Sequence, residues 1–242
     1  MNVVAIIQAR MGSSRLPGKV LADLCGAPLL ERVVRRVSRA ASVTQVVIAT
    51  TTKPADDAIT RLCDERGWSC FRGSEDDVLD RYYQAARLHN ADVVVRVTSD
   101  DPLIDPELID ELTNRIAASP GEFDYACNFL PRRTFPLGLD FEVATFATLE
   151  RAWHEDDNPA WREHVFEYVL HRADRFRIAS IAHDVDLSHL RWTVDTPEDL
   201  ELARRVYEHF RHDRFSWREA VALMNRHPEW LAINEMVIQR QV

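Results

Sequence analysis

The chain has 242 residues, of which 46% are hydrophobic, so we expect one domain over residues 1–242 around a substantial core. Its 39 acidic residues outnumber its 30 basic ones and give a formal charge of −9, which argues against nucleic acid as a partner. The cysteines form no C-x-x-C pair, and the apolar runs are too short for a transmembrane helix. The N-terminus enters a strand without the charged region of a signal peptide, so we expect no signal peptide. We therefore expect a cytoplasmic protein with free thiols and no membrane contact.

Four short apolar runs rich in β-branched residues predict strands that are buried on both faces. In chain order they are Val3–Ala9, Gln45–Thr51, Asp92–Thr98 and Leu190–Val194. Helical patterns separate these runs. The chain therefore predicts an α/β fold with a mostly parallel sheet, helices on both faces, and a ligand crevice at the carboxyl ends of the strands.

Prolines and capping residues mark the predicted helix starts. Apolar residues recur at three-to-four spacing after Pro28, and Pro54 opens a second helix with an acidic first turn. Ser74 can cap the start of a third helix, and a fourth helix follows Asp105. The tail from Ser216 onward also has a helical pattern.

The regular alternation weakens after Gly121. Strands are predicted at Phe123–Asn128 and Phe141–Thr145, on either side of the turn-rich stretch Leu130–Asp140. We expect the irregular segment, about residues 121–190, to be a small inserted excursion that carries the second substrate or a subunit contact.

The first predicted strand runs into the loop Gln8–Lys19, with the sequence QARMGSSRLPGK. It is not a Walker A loop, because a proline intrudes and Val20 stands where the magnesium-binding hydroxyl belongs. The chain also lacks a G-x-G-x-x-G dinucleotide fingerprint.

The same loop has the composition of an anion-binding loop. Backbone amides near Gly12 and Ser13 can face an anion. The side chains of Arg10, Arg15 and Lys19 can neutralise several phosphate oxygens at once. A solvated basic loop is the alternative interpretation, but it leaves the glycines and serines at the end of a buried strand unexplained.

Carboxylates directly follow two of the predicted strands. Asp100 comes shortly after Thr98, and Asp195 follows Val194, so both should lie at the ligand-binding edge of the sheet. Mg²⁺ prefers oxygen ligands and usually takes only one or two protein carboxylates, so these two are sufficient for a site. Thr196 and the acids after it are better explained as a helix cap and first turn.

Six motifs are spread over nearly the whole chain: IIQARMGSSRLPGKVL, FRGSEDDVLDRYYQAA, RVTSDDPLIDPELID, FPLGLDFEV, REHV and DLSHLRWTVDTPEDLELAR. Together they resemble the cytidylyltransferase family that includes 3-deoxy-manno-octulosonate and acylneuraminate cytidylyltransferases, and above all its spore-coat polysaccharide branch. The resemblance implies a three-layer, Rossmann-like nucleotidyltransferase fold. It also implies a reaction of CTP with Mg²⁺ that gives a CMP-linked product and pyrophosphate, in a homodimer formed through the irregular segment.

The motifs and the resemblance together give the candidate site residues. Arg10 and Lys19 are the catalytic candidates, which would stabilise the charge that grows at the α-phosphate. Asp100 and Asp195 are the metal candidates, and no residue stands out as a general base. The nucleotide-binding candidates are Gln8, Ala9, Arg10, Gly12, Ser13, Arg15, Lys19, Arg72, Gly73, Ser74, Asp77 and Asp100. The acceptor-binding candidates are Arg132, Arg133, Asp140, Glu142, Arg162, Glu163 and His164.

The sequence leaves more than one acceptor and more than one reaction class open. An arginine pair beside a crevice suits a small acidic acceptor, either a sugar acid or a phosphonate. A glycosyltransferase that consumes a nucleotide sugar is the alternative enzyme, although it needs fewer cations in the first loop. A nucleotide-sensing protein without turnover is the alternative outside the enzymes.

Overall fold

A computed structural model describes residues 1–118 and 121–239. Within them, seven strands form one sheet in the order β3-β2-β1-β4-β6-β5-β7. The strands are β1 (Val3–Gln8), β2 (Gln45–Thr51), β3 (Ser69–Gly73), β4 (Val93–Thr98), β5 (Tyr125–Cys127), β6 (Glu142–Thr145) and β7 (Ile178–Ser180). Strand β6 is antiparallel to both of its neighbours, and the other pairings are parallel. The mostly parallel sheet is confirmed.

Helices cover both faces of this sheet and make it the middle of three layers. The described helices are α1 (Leu29–Val37), α2 (Asp57–Arg66), α3 (Val78–Leu88), α4 (Pro106–Ala118), α5 (Phe146–Glu155), α6 (Pro159–Arg162), α7 (Glu167–His171), α8 (Pro197–Phe210) and α9 (Trp217–Arg226). Side chains of β1 alternate between two cores: Ala5 and Ile7 pack with α1, α4 and α8, whereas Val4 and Ile6 pack with α3 and α5. This alternation follows from the period of two along a strand. In the described part of the chain, no helix is long and apolar enough to span a membrane.

Three of the four predicted central strands are confirmed, and the fourth is wrong. Residues Leu190–Val194 form no sheet strand, because their backbone groups bond to loops instead. The Leu190 carbonyl accepts from Leu137 N at 2.9 Å, and Trp192 N donates to the Leu137 carbonyl at 2.7 Å. Gly138 permits this close approach: its φ is +102°, and a Cβ there would lie 2.4 Å from the Thr193 nitrogen.

The predicted helices are confirmed, with a later start for the third. The Ser74 hydroxyl accepts from Asp77 N at 3.0 Å as predicted, but this bond closes a turn before the helix. Asp77 is the N-cap of α3 and accepts from Asp80 N at 2.8 Å. The helix therefore begins at Val78, one turn later than predicted from Ser74.

The irregular segment partly joins the main sheet. Strand β6 lies antiparallel beside β4, and β5 pairs with β6. Strand β7 pairs with β5 and is the edge strand on this side of the sheet. The turn-rich residues between β5 and β6 lie outside the sheet. Whether this segment also carries a subunit contact stays a prediction, which sedimentation velocity would test.

The chain direction changes between β1 and β4, where ligands bind in sheets of this kind. From β1 the chain proceeds outward to β2 and β3, then returns to β4 on the other side of β1. Ser99 N donates to the Gln8 carbonyl at 3.2 Å and ties the two strand ends together. The first loop and Asp100 therefore emerge side by side at a topological switch point.

Candidate active site

The first loop is folded back on itself at the end of β1. The Met11 carbonyl accepts from Ser13 N at 2.9 Å and from Gly18 N at 3.1 Å. Gly18 has a φ of +71°, which a glycine adopts without strain. The buried Asp56 side chain anchors the loop by accepting a hydrogen bond from Met11 N at 2.7 Å. The loop is thus a defined turn anchored to the sheet.

This loop forms one wall of a first cavity of about 380 Å³. Gln8, Ala9, Arg10, Gly12, Ser13, Arg15, Lys19 and Asp100, all nucleotide-binding candidates, line it together with Asp195. The acceptor candidates Glu163 and His164 also face it. The structure therefore brings most of the predicted nucleotide residues around one space.

Lys19 is buried between the two metal candidates. Its Nζ donates to Asp100 Oδ2 at 2.7 Å, to Asp195 Oδ1 at 2.8 Å and to the Val194 carbonyl at 2.9 Å. Burial by itself would lower the pKa of Lys19, but the charges of Asp100 and Asp195 outweigh it, and the pKa lies above its ordinary value. The two carboxylates therefore lie close enough to share one cation.

Asp195 is held by further cations on its other oxygen. Arg15 Nη2 lies 2.7 Å and Arg191 Nη2 lies 2.9 Å from Asp195 Oδ2. Burial by itself would raise the pKa of Asp195, but Lys19, Arg15 and Arg191 outweigh it and hold the pKa below its ordinary value. Asp195 is thus ionised and fixed in position at neutral pH.

A buried network supports Arg191 in turn. Its Nε donates at 2.8 Å to Asp199, whose side chain is completely buried. Asp199 also closes the capping box with Thr196 at the start of α8, and Asn234 donates to it at 2.9 Å. The predicted helix cap and the predicted metal candidate are therefore parts of one network.

A second cavity of about 400 Å³ adjoins the first. Both are lined by Arg15, Thr98, Asp100, His164 and Asp195, so the two metal candidates lie where the cavities meet. The predicted acceptor residues Asp140 and Glu142 line the second cavity, along with apolar side chains from Phe129, Leu137, Phe141 and Leu170.

Part of the predicted nucleotide-binding group lies outside both cavities. Arg72 donates to the Thr51 carbonyl at 2.8 Å and pairs with Asp57 at 2.7 Å, so it joins β3 to the start of α2. Gly73 ends β3, Ser74 and Asp77 lie in the turn before α3, and the cavity is lined instead by Val78 and Arg81 of α3. The Ser74 hydroxyl accepts from Asp77 N within this turn, and Asp77 caps the helix.

The predicted arginines of the acceptor group are also absent from the described cavity linings. Arg132 is exposed, Arg133 pairs with Asp140, and Arg162 donates to Asp77 at 2.9 Å. Each of these arginines therefore has a solvated or ion-paired environment in this conformation.

Among the lining residues that the sequence analysis missed are two arginines and a threonine on regular elements. Arg81 on α3 faces the first cavity, Arg96 on β4 faces the second, and Thr98 faces both. Arg96 carried a signal, since a charged residue inside a run of valines predicted to be buried on both faces needs a partner or a ligand.

Comparison with known proteins identifies the family of this chain. A family model described as cytidylyltransferase matches residues 4–216. The chain is 33% identical over 238 residues to the spore coat polysaccharide biosynthesis protein SpsF of Bacillus subtilis, covering 94% of this chain and 96% of the relative. It is 38% identical over 123 residues to a 3-deoxy-manno-octulosonate cytidylyltransferase of Trichlorobacter lovleyi, covering 50% of this chain and 47% of that one.

Among solved structures, a cytidylyltransferase from Leptospira borgpetersenii is similar with a TM-score of 0.92 at 32% identity, covering 99% of this chain and 100% of that one. The match of family, sequence and fold extends over nearly the whole length. The chain therefore belongs to the cytidylyltransferase family and is a nucleotidyltransferase enzyme.

Proposed function

We propose that this enzyme transfers CMP from CTP to a small acidic acceptor, a sugar acid or a phosphonate, with Mg²⁺ and with release of pyrophosphate. The observation that carries the proposal is the pair of adjoining cavities that meet at Asp100 and Asp195. One cavity then holds the triphosphate and the other the acceptor. The bond that forms and the bond that breaks lie at their junction.

The charge of the first cavity supports a triphosphate. Arg10, Arg15, Lys19 and Arg81 line it, against the carboxylates Asp100, Asp195 and Glu163. A nucleotide sugar carries less phosphate charge and needs fewer cations, so this wall favours CTP over the substrate of a glycosyltransferase. Membership of the cytidylyltransferase family supports the same choice.

The residues present fit a magnesium ion. Asp100 and Asp195 already share the Lys19 ammonium, which shows that one cation can contact both carboxylates. Two carboxylates with water and phosphate oxygens complete the coordination that Mg²⁺ prefers. Bound there, Mg²⁺ would neutralise phosphate charge and align the triphosphate.

The protein groups supply positioning and charge neutralisation. The first loop binds the phosphates through its amides and through Arg10. Lys19, released from the two carboxylates, neutralises charge that grows at the α-phosphate as the acceptor oxygen attacks and pyrophosphate leaves in line. Arg15 and Arg191 keep Asp195 in place during the step.

The test combines binding with turnover. Calorimetry with CTP, UTP, ATP and GTP, with and without Mg²⁺, should show Mg²⁺-dependent preference for CTP in the wild type and loss of that preference in Asp195→Ala. Pyrophosphate release with 3-deoxy-manno-octulosonate and with a hydroxyalkyl phosphonate then compares the two acceptor classes. CTP binding without pyrophosphate release in the presence of any acid would favour a nucleotide-sensing protein that has no turnover. Binding of nucleotide sugars alone would favour the glycosyltransferase.

A further inference from the structure

Arg96 is a charged residue in the centre of a buried strand, and the reaction as described above gives it no task. It belongs to β4, between Val95 and Val97, which are both fully buried. In the antiparallel ladder Arg96 stands directly opposite Glu142 of β6. The sheet itself therefore fixes the position of this arginine on the floor of the second cavity.

Two edges of the guanidinium are occupied by the protein. Nη1 pairs with Glu142 Oε2, and Nε donates to Gln8 Oε1 at 3.4 Å. Glu142 accepts a further bond from the Tyr125 hydroxyl at 2.7 Å, so its charge is well satisfied. Burial by itself would lower the pKa of Arg96, but Glu142 outweighs it, and the pKa lies above its ordinary value.

The third edge is open. Among residues 1–118 and 121–239, no group accepts a hydrogen bond from Nη2 of Arg96. Guanidinium groups bind carboxylates through a planar fork of N–H donors. Arg96 is only partly buried, so this edge is accessible from the cavity. A buried ion pair is also no general gain in stability over apolar residues of similar volume. An open fork edge in a cavity is therefore better explained by a ligand than by stability.

Arg96 is the arginine in the second cavity that is available to bind an acidic ligand. Of the described cations, only Arg15 and Arg96 line the second cavity, and Arg15 is bound to Asp195 at 2.7 Å. Asp140, another acid of the cavity wall, pairs with Arg133. A carboxylate entering the cavity therefore meets one cation with an unused donor edge.

We propose that Arg96 binds the acidic group of the acceptor and so selects acids over neutral sugars. The inference rests on the proposed function, since it concerns the second substrate of that reaction. Arg96 and Thr98 point to the same side of β4, about 6.6 Å apart along the strand. The acid group then lies beside Arg96, and the attacking hydroxyl of the acceptor reaches the junction at Asp100 and Asp195.

The experiment pairs a change in the protein with a change in the ligand. Pyrophosphate release is measured with 3-deoxy-manno-octulosonate and with its uncharged carboxamide, using wild type, Arg96→Gln and Arg96→Lys. Wild type should prefer the acid by about 30- to 100-fold in kcat/KM, the size expected of hydrogen bonds to a charged group. Arg96→Gln should lose most of that preference by slowing the acid alone, with the KM for CTP within about twofold of wild type.

The controls separate recognition from folding. Arg96→Lys keeps the charge beside Glu142 but lacks the planar fork, so it should be intermediate even if Arg96→Gln is too unstable to purify. Arg115→Gln, an exposed arginine on α4, should behave as wild type.

Each outcome decides a separate question. An unchanged ratio of acid to carboxamide in both Arg96 variants, or a change in the KM for CTP instead, overturns the role of Arg96. Wild type that binds CTP but neither the octulosonate nor a hydroxyalkyl phosphonate by calorimetry overturns the role of Arg96 and the acidic acceptor, and leaves the CTP site standing. Wild type that binds no CTP overturns the proposed function itself.

Discussion

Replacement of Lys19 by alanine is the most informative single perturbation of the site. The ammonium is buried and donates to Asp100, Asp195 and a backbone carbonyl. Without it, Asp195 keeps two arginines, but Asp100 loses its ion-pair partner among the described residues. Asp100 is about one quarter exposed, so water compensates in part. We expect the free energy of unfolding to fall by about 2–3 kcal/mol at neutral pH.

The pH dependence of this loss follows from the pKa directions. The pKa of Lys19 is raised, so its stabilisation is complete below its ordinary value of 10.5 and is lost only at higher pH. The pKa of Asp195 is lowered, so its contribution is present above its ordinary value of 3.8 and is lost as the pH falls through the folded-state value. The difference between wild type and Lys19→Ala should therefore be constant in the neutral range and shrink in acid.

Turnover should fall by at least about 100-fold, because the proposed function places the Lys19 charge at the reacting phosphate. Added Mg²⁺ should raise the Tm of Lys19→Ala more than that of wild type, because the ammonium no longer competes for the same two carboxylates. Urea denaturation, thermal melts and pyrophosphate release measure these effects.

The sequence has only one other lysine, which provides a matched control for this experiment. Lys53 is exposed and pairs with Glu75, so Lys53→Ala should remain near wild type in stability and turnover. Wild-type turnover in Lys19→Ala, or equal losses in both variants, would refute the reasoning.

Two further variants test the surroundings of the site. Arg191→Ala should lower the free energy of unfolding by about 3 kcal/mol in urea denaturation, because it leaves the buried Asp199 without its cation. The control is Arg205→Ala, which breaks the exposed pair with Glu201 on α8 and should lower the same free energy by under about 0.5 kcal/mol. Equal losses of stability in the two variants would contradict the network. Burial raises the pKa of Asp140 and Arg133 opposes it, so Arg133→Ala should raise that pKa further. Because a raised carboxyl pKa removes stability as the pH rises above 3.8, the loss in Arg133→Ala should be larger at neutral pH than in mild acid, and a loss that is independent of pH would count against the pairing.

Local patterns predicted the elements that depend on neighbouring residues. The valine-rich runs gave β1, β2 and β4, because strands buried on both faces have continuous apolar sequence. The cap at Thr196 and the start of α4 followed from side chains that bond to backbone two or three residues away. The same pattern gave a wrong strand at Leu190–Val194, because an apolar extended run has the same sequence signature whether its backbone pairs with a sheet or with loops.

By itself, the sequence determined that the first loop and Asp100 lie at one edge of a parallel sheet, since successive strands of such a sheet end on the same side. It also predicted that Gln8 to Lys19 form one loop with the composition of an anion-binding site, which is a local property of that stretch. Only the tertiary structure decided that Lys19 bridges Asp100 and Asp195, because any two of these three residues are separated by more than eighty positions in the sequence. It likewise decided that Arg96 rather than the arginines after Leu130 faces the second cavity, since the direction of a side chain on a turn depends on packing that no local pattern records.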